Sequence, residues 1–581
     1  MRNTSPSIID AFNPNDGNGA RHIEWSVRFE IVQDEIYENL SISAAQNTAV
    51  SRLQQTIDRD TNTLKIQTFE LGGFPLDGSG IVPPRSTETL SAQVGLIMDE
   101  LSDAEGAFST PQVYTAETDY LYDLLAVTFD FGFAPPVDFT IEIYGGTSLL
   151  HSVSVTGNAD RLYMVNHAVA AADKVVLAIT KGKPFRFARV AEFTPGAVME
   201  YDKYNSDSLT VTEAVDPISE RAAASTMQLV TDNMAEQFDI FDPTGIYQYF
   251  KERMGLYPTI SGRNPDGAFQ QVSMGKYYLQ APQLKGNLKK LKLDATNLLG
   301  TLQDTQYSTG LYKTASLAQF AQDVAADAGI TIRYPAELSA ITVPSYVATM
   351  SHAQALINIA KAANMVLRVA TDDALEFHAL GSTVIQTVGM SDYSLENGIS
   401  PSDDTIYNTV ELEYQTYSAG ASTELVRLDA SGTLVSSTFY VDNAVVQTTA
   451  ATYYPKYSPA TNISASVSGG VLTVSGQPLQ SSPGKISVTS KRENEVAYVY
   501  TPKTNPFIQP QNARAVAEYA LLRKAQRRRI VKTSYRGYPY WEMGDVVNFN
   551  SGESDTQAFF LTKNKLSLGG GMTGEMEARE L

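Results

Sequence analysis

No cysteine occurs in the 581 residues. Disulfides, thiolate zinc sites and cysteine nucleophiles are therefore excluded. Histidine is scarce: His22, His151, His167, His352 and His378 are the whole set, and none stands at paired-ligand spacing such as His-Glu-x-x-His. They read as structural or surface residues. Positive charge is also in short supply, with 44 Lys and Arg against 64 Asp and Glu, a net charge of −20. That balance opposes a grip on nucleic acid through many phosphates and opposes binding to anionic membranes. No apolar run approaches the roughly 20 residues of a membrane span. The opening "MRNTSPSIIDAFNPNDGNG" lacks the charged-then-apolar order of a secretory leader, so the chain is expected to be made and folded in a cytoplasm.

The usual chemical motifs are missing too. Asp58, Asp60 and Asn62 in "DRDTNT" start like a calcium loop but lack its glycine and closing glutamate. "GNGARH" and "GGGMTG" do not follow a strand with phosphate-loop spacing, and no Gly-x-Ser-x-Gly is present. Nothing local supports a two-carboxylate glycosidase. No catalytic residue, cofactor or metal site is expected.

What is present is a β-rich, multidomain chain, mainly β with an α+β segment. Hydrophobic residues make up 43% and charged residues 19%, the balance of globular domains, and 31 tyrosines favour strands. "HIEWSVRFEIV" places Trp25, Val27, Phe29 and Ile31 on one side of an alternating strand. "LKIQTFEL" reads as a strand and "GGFPLDGSGIVPPR" as a loop. From about Leu90 to Gly196, "LLAVTFDFGF", "DFTIEIYGG", "LLHSVSVTGN" and "KVVLAITKG" read as strands of a sandwich or jelly roll. "SDSLTVTEAVDP" and "STMQLVTDN" read as strands, and "FDPTGIYQYFKERMGLYPTISG" as turn, short helical piece and strand.

Two helices stand out. In "SLAQFAQDVAADAGI", Leu317, Phe320, Val324 and Ala328 recur at helical spacing between Ser316 as N-cap and Gly329 as C-cap. In "SHAQALINIAKAANM", Leu356, Ile359 and Ala363 form the stripe and Ser351 the cap. "VLRVATDDALEFHAL" reads as a hairpin on its Asp-Asp turn. Residues 418–487 are rich in Ser, Thr, Gly and Ala with alternating valines, as in an inserted β-module. A last helix spans "NARAVAEYALLRKAQRRR", with Val516, Ala520 and Leu521 inward. Strands "IVKTSYRG", "DVVNFN", "AFFLTKNKLSLGG" and "GEMEAREL" follow.

The densest basic run is "RKAQRRRIVKTSYRGYPYWEMGDVVNF", Arg523 to Phe549. Cations at a helix C-terminus complement the helix dipole. The run reads either as such a solvated helix end or as a contact for an acidic neighbouring subunit, with Arg527, Arg528 and Arg529 as the candidate interface residues. No second basic cluster or stacking platform accompanies it to make a nucleic-acid grip.

Several segments together resemble the tail-hub family of tailed phages and related injection machines, tail-associated proteins built on the baseplate-hub fold. They are "FELGGFPLDGSGIVPP" with "VGLIMDELSDAEGAF", "VVLAITKGKPFRFARVAEFTPGAVMEYD", "VDPISE" with "MQLVTDNMAEQFDIFDPTGIYQYFKERM", "VSMGKYYL" with "LKLDATNLLGTLQDTQYSTGLY", "SHAQALINIAKAANMVLRV", and the closing run that ends in "YRGYPYWEMGDVVNF". Ala353 and Gln354 depart from the family's more usual Ser-His-Arg-Glu-Ala-Leu.

The resemblance implies an N-terminal strand region and linker at 1–75 and a galactose-binding-like jelly roll at 76–198. A first tail-tube-like hub β-barrel would occupy 199–303 and an α+β hub domain 304–395. A second hub barrel would comprise 396–417 and 488–581, interrupted by the module at 418–487. In the closing barrel, Glu542, Gly544 and Asp545 would shape a turn before Val546 and Val547. The resemblance further implies a non-enzymatic homotrimer at the tail tip or baseplate of a virion, around the DNA channel. DNA would pass without specific binding, aided by an acidic lumen. Expected neighbours are a distal tail or tail tube protein, a tape measure protein and tail-tip or fibre proteins. Longer relatives carry a peptidase or fibre region after the hub; with the last barrel strands ending at Leu581, none is expected here. The alternative is a receptor- or carbohydrate-binding tail-tip protein that meets a cell-surface glycan through the jelly roll.

Overall fold

The computed structural model describes residues 6–12, 21–46, 53–57, 65–66, 80–81, 95–132, 135–232, 253–264, 269–280, 283–285, 290–307, 312–347, 349–389, 399–401, 406–429, 438–441, 444–447, 460–468, 471–491, 495–525, 529–549 and 557–581. The turn at 58–63, most of the loop at 72–85, the helical piece before Arg253, and Arg527 and Arg528 lie outside these residues.

The expected β-rich, multidomain architecture is present. Its centre is one 15-stranded sheet. Strand Ile23–Val32 pairs antiparallel with Gly196–Asp202 on one side and Gly255–Arg263 on the other. Trp25, Val27, Phe29 and Ile31 all face the core, as their alternation requires. This strand, expected in a separate N-terminal region, is thus an integral strand of the sheet. The path continues through Lys290–Thr296 and Thr226–Asp232 to Ser206–Ala214.

Ser206–Ala214 then pairs with Gln557–Leu568, near the end of the chain. Leu209 lies opposite Leu568 and Val211 opposite Leu566, all four buried, while Thr210 meets Ser567 and Thr212 meets Lys565 on the other face. Beyond this pair lie Met572–Glu580 and Arg529–Tyr535. The strands at both ends of this sheet share one hydrophobic core, from Trp25 and Leu229 to Trp541, Phe559 and Ala578.

The other parts are excursions from this sheet. Residues 95–194, with strand Ser41–Ala44 added at an edge, form a sandwich in which a five-stranded sheet faces three- and two-stranded sheets around Tyr114, Phe129, Ile141 and Leu177. Its longest strand, Ala107–Leu124, is missed by the sequence reading. Its buried alternation is Gln112, Tyr114, Ala116 and Thr118, only half apolar, and Pro111 punctuates it.

The α+β unit follows its sequence closely. Ser316 caps helix Leu317–Ala328 by accepting from the Gln319 N–H, and Gly329 closes it at φ 65°. Ser351 caps helix His352–Ala362 in the same way. Helix Ala513–Lys524, expected with the closing barrel, instead buries Val516, Ala517, Ala520 and Leu521 in this helical core beside Leu356 and Ile359. Residues 418–487 are carried on a continuous ribbon: Val471–Thr489 pairs with Thr409–Ala419 at one end and with Thr423–Asp429 and Ala460–Ser468 at the other.

Two cross-strand pairs explain glycines inside strands. The Tyr535 ring lies over Gly574 and the Tyr414 ring over Gly484; a Cβ on either glycine would fall 2.2 Å and 2.1 Å from a ring carbon. An aromatic ring covering a strand glycine restores the packing the missing side chain forfeits. Tyr535 also donates to Asn564 Oδ1 at 2.6 Å. Gly574→Ala should displace the ring and lower unfolding free energy by roughly 1–3 kcal/mol in chemical denaturation, as overpacking does.

Candidate functional site

The first candidate is the face of the sheet opposite the core. Six adjacent strands, from Lys290–Thr296 through Arg529–Tyr535, present their second set of side chains there. Among the described residues, none of the exposed large hydrophobic side chains lies on these six strands. Their charges are matched. Gln228 donates to Asp294 at 2.9 Å, Lys292 meets Asp294 at 2.6 Å, and Lys290 pairs with Asp207. Across the second unit, Lys565 meets Glu575 at 2.9 Å, Lys532 meets Glu577 at 3.7 Å, and Arg579 meets Glu577 at 3.4 Å. Exposed pairs of this kind add little stability, but they satisfy these cations locally; Lys563, on one of the same strands, has no carboxylate partner among the described residues.

Arg529 stands at the end of this face. Its guanidinium meets Glu580 Oε1 at 3.0 Å, and its backbone N–H donates to Glu580 Oε2 at 3.0 Å. Of the three candidate interface arginines it is the one within the described residues, and it has an acidic partner in its own chain.

The rest of the basic run is scaffold. Tyr538, Tyr540 and Trp541 are buried, with Trp541 stacked on Tyr535 at 5.1 Å between ring centroids. Gln386 Oε1 accepts from the Tyr540 hydroxyl at 3.0 Å and from Trp541 Nε1 at 2.9 Å. Arg21 donates to the carbonyls of Phe12 and Gly537, each at 3.1 Å, and to that of Arg536. Gly537 sits at φ 87° and Gly544 at φ 90°, conformations that favour glycine. In the expected turn, Asp545 Oδ2 accepts from the Glu542 N–H at 2.9 Å. The sequence reading missed the partner of this turn: Arg368 of the α+β hairpin reaches Glu542 at 3.2 Å and Glu376 at 3.0 Å. Burial, with Arg368 nearby, pushes His378 down to about 4, and burial raises Asp545 above its ordinary value.

A second missed cluster lies where the sandwich meets the sheet. Arg28 and Glu30 occupy the non-core positions of Ile23–Val32, yet both are buried. Arg28 meets Glu30 at 2.6 Å, Glu192 at 2.9 Å and Asp130 at 4.0 Å. Arg161 reaches Asp130 at 3.4 Å and pairs with Glu200. Charge at two successive non-core positions, Arg28 and Glu30, of an alternating strand was the available signal that this part of the face meets a polar partner. Burial opposes charge on Arg28, but Glu192 and Glu30 hold it above its ordinary value; burial pushes Glu192 up to about 7.

The histidines are dispersed. The His151 and His167 rings stack at 3.9 Å on the sandwich. His352 ties three segments together, with Nδ1 2.8 Å from Thr305 Oγ1 and Nε2 2.9 Å from Asp327 Oδ2. Asp327 is 55% exposed, unlike the buried carboxylate that orients the histidine of a hydrolytic triad. Among the described residues, no three His, Asp or Glu side chains group to hold a metal ion.

No family model matches the chain, and the curated proteins give no match. Solved structures do show similarity. One is the tail protein from Neisseria meningitidis MC58, at 12% identity and TM-score 0.39, covering 66% of this chain and 94% of that one. Another is the prophage MuSo2 43 kDa tail protein from Shewanella oneidensis, at 10% identity and TM-score 0.38, covering 65% and 95%. A third is the prophage tail protein gp18 from Listeria monocytogenes EGD-e, at 10% identity and TM-score 0.34, covering 64% and 94%.

The Glu192 cluster makes the sandwich–sheet junction sensitive to pH. Glu192's folded value of about 7 lies above its ordinary 4.5, so the folded state holds its proton more tightly. Its contribution to stability is present in full below the ordinary value and is lost as pH rises through the folded one. Glu192→Gln should therefore gain on the parent chain by on the order of 1–3 kcal/mol between about pH 5 and pH 8. Urea titrations of both proteins at the two pH values measure this; a constant difference would refute it.

Proposed function

We propose that this chain is a structural hub protein of a phage tail or related injection machine. Three copies form a ring at the tail tip, and two barrel-like units per copy place six around the axis to match a sixfold tail tube. The observation that carries the reading is the continuous sheet. One strand pair joins the two ends of the sheet, one core is shared, and six strands present a face whose lysines and arginines are mostly ion-paired, with no exposed large hydrophobic side chain among the described residues.

Such a face suits the wall of an aqueous channel. Paired lysines offer phosphates no ready counter-charge, and a net charge of −20 per copy repels DNA at longer range. The role asks for no catalytic group, cofactor or metal. Its neighbours are a distal tail or tube protein above, a tape measure protein within, and tip or fibre proteins below, in the virion. The order of motifs from "FELGGFPLDG" to "MGDVVNF" supports the same reading.

A second reading draws on the sandwich, where Tyr120 and Leu121 are 41% and 57% exposed. Exposed aromatic surface is what a carbohydrate face uses, and glycan binding by the whole chain that Tyr120→Ala abolishes would favour it.

Electron microscopy of the native particle, with copy number read from the density, tests the hub. The expected result is three copies around a central channel, with Lys292, Lys565 and Glu575 facing the axis. A chain hanging outside the tube axis, or a core-side orientation toward the channel, would overturn it.

A further inference from the structure

Next to the basic run, the described residues enclose a groove of about 420 Å³. That volume falls in the range of ligand sites, roughly 300–1,000 Å³. Its walls are the connection at 214–223, the last turn of helix Ala513–Lys524, and the strands that carry Ile530, Phe560, Lys563 and Glu577. It lies on the non-core side of the sheet.

The acids that line the groove are already engaged. The Asp216 carboxylate accepts from the backbone N–H groups of Ile218, Glu220 and Arg221 at 3.1–3.2 Å. Glu220 faces Lys361 at 3.9 Å. Glu577 is held between Lys532 and Arg579.

The cations are not. Among the described residues, no carboxylate pairs with Arg221, Arg523, Lys524 or Lys563. Aromatic rings hold Arg523 instead: its guanidinium lies between those of Tyr519 and Phe560, 5.2 Å from each centroid. Its Nε is buried with no hydrogen-bond acceptor. A guanidinium held against two rings has little freedom left to lose, so a carboxylate gains its hydrogen bonds with little further ordering.

We propose that this groove binds a short, carboxylate-rich segment of a neighbouring protein. The wall combines these cations with the partly exposed Pro217 and Ile218 and retains three carboxylates. An acidic peptide with apolar side chains between its carboxylates fits that pattern. A nucleic acid backbone, with closely spaced phosphates and no apolar side chains between them, would leave Pro217 and Ile218 unmatched. The groove is lined by one copy of the chain, so binding to it is tested apart from the ring and the channel.

The test uses the full chain and a fluorescein-labelled hexapeptide of alternating Glu and Leu, with fluorescence anisotropy as the readout. Arg221 and Lys563 are exposed, so Arg221→Glu and Lys563→Glu leave the core intact, which an unchanged melting temperature verifies. Saturable binding that each reversal weakens by about tenfold is expected for the loss of a charge-assisted contact. No saturable binding, equal binding by parent and variants, or displacement by inorganic phosphate or a DNA oligonucleotide more readily than by unlabelled peptide would overturn the proposal.

Discussion

The antiparallel pairing of Ser206–Ala214 with Gln557–Leu568 is the constraint on which the rest of the molecule depends. It joins a strand from the first half of the chain to one near its end. The α+β unit and the ribbon that lie between them in the chain must leave the sheet and return to it. The register is strict, because side chains alternate and a slip by one residue would turn Leu209 and Val211 to solvent and Thr210 and Thr212 to the core. Such long-range pairing is entropically slow to find, which fits a chain whose local helices and hairpins are independently well specified.

The excursions dock through arginines. Arg28 holds the sandwich through Glu192 and Asp130, Arg368 holds the α+β hairpin to the Glu542 turn, and Arg21 fastens the N-terminal segment to the carbonyls of Arg536 and Gly537. Desolvation offsets much of the attraction in buried ion pairs. Their contribution here is geometric: a planar, forked donor fixes the angle at which one body meets another. The surface groove at Arg523 belongs to the same chemistry, with the acceptor still to be supplied from outside.

Much of the local structure was legible. Caps at Ser316 and Ser351, the C-cap at Gly329, the alternation from Trp25 to Ile31, and the Glu542–Asp545 turn are each set by residues a few positions apart. Ala107–Leu124 was not legible, because half of its inward side chains are polar. Helix Ala513–Lys524 could be located, but not the core it would join, since an apolar stripe does not name its partner.

The sequence by itself therefore determined the β-rich class, the absence of thiol chemistry, the acidic charge, and the helices and turns, because short-range backbone and side-chain preferences suffice for them. Only the tertiary structure decided that strands from the first half of the chain and from its end share one sheet and one core, that Arg28 and Glu192 meet, that Arg529 finds Glu580, and that Arg523 lines a groove. Each of these joins residues far apart in the chain, and proximity of that kind is fixed by packing and register, which no local pattern encodes.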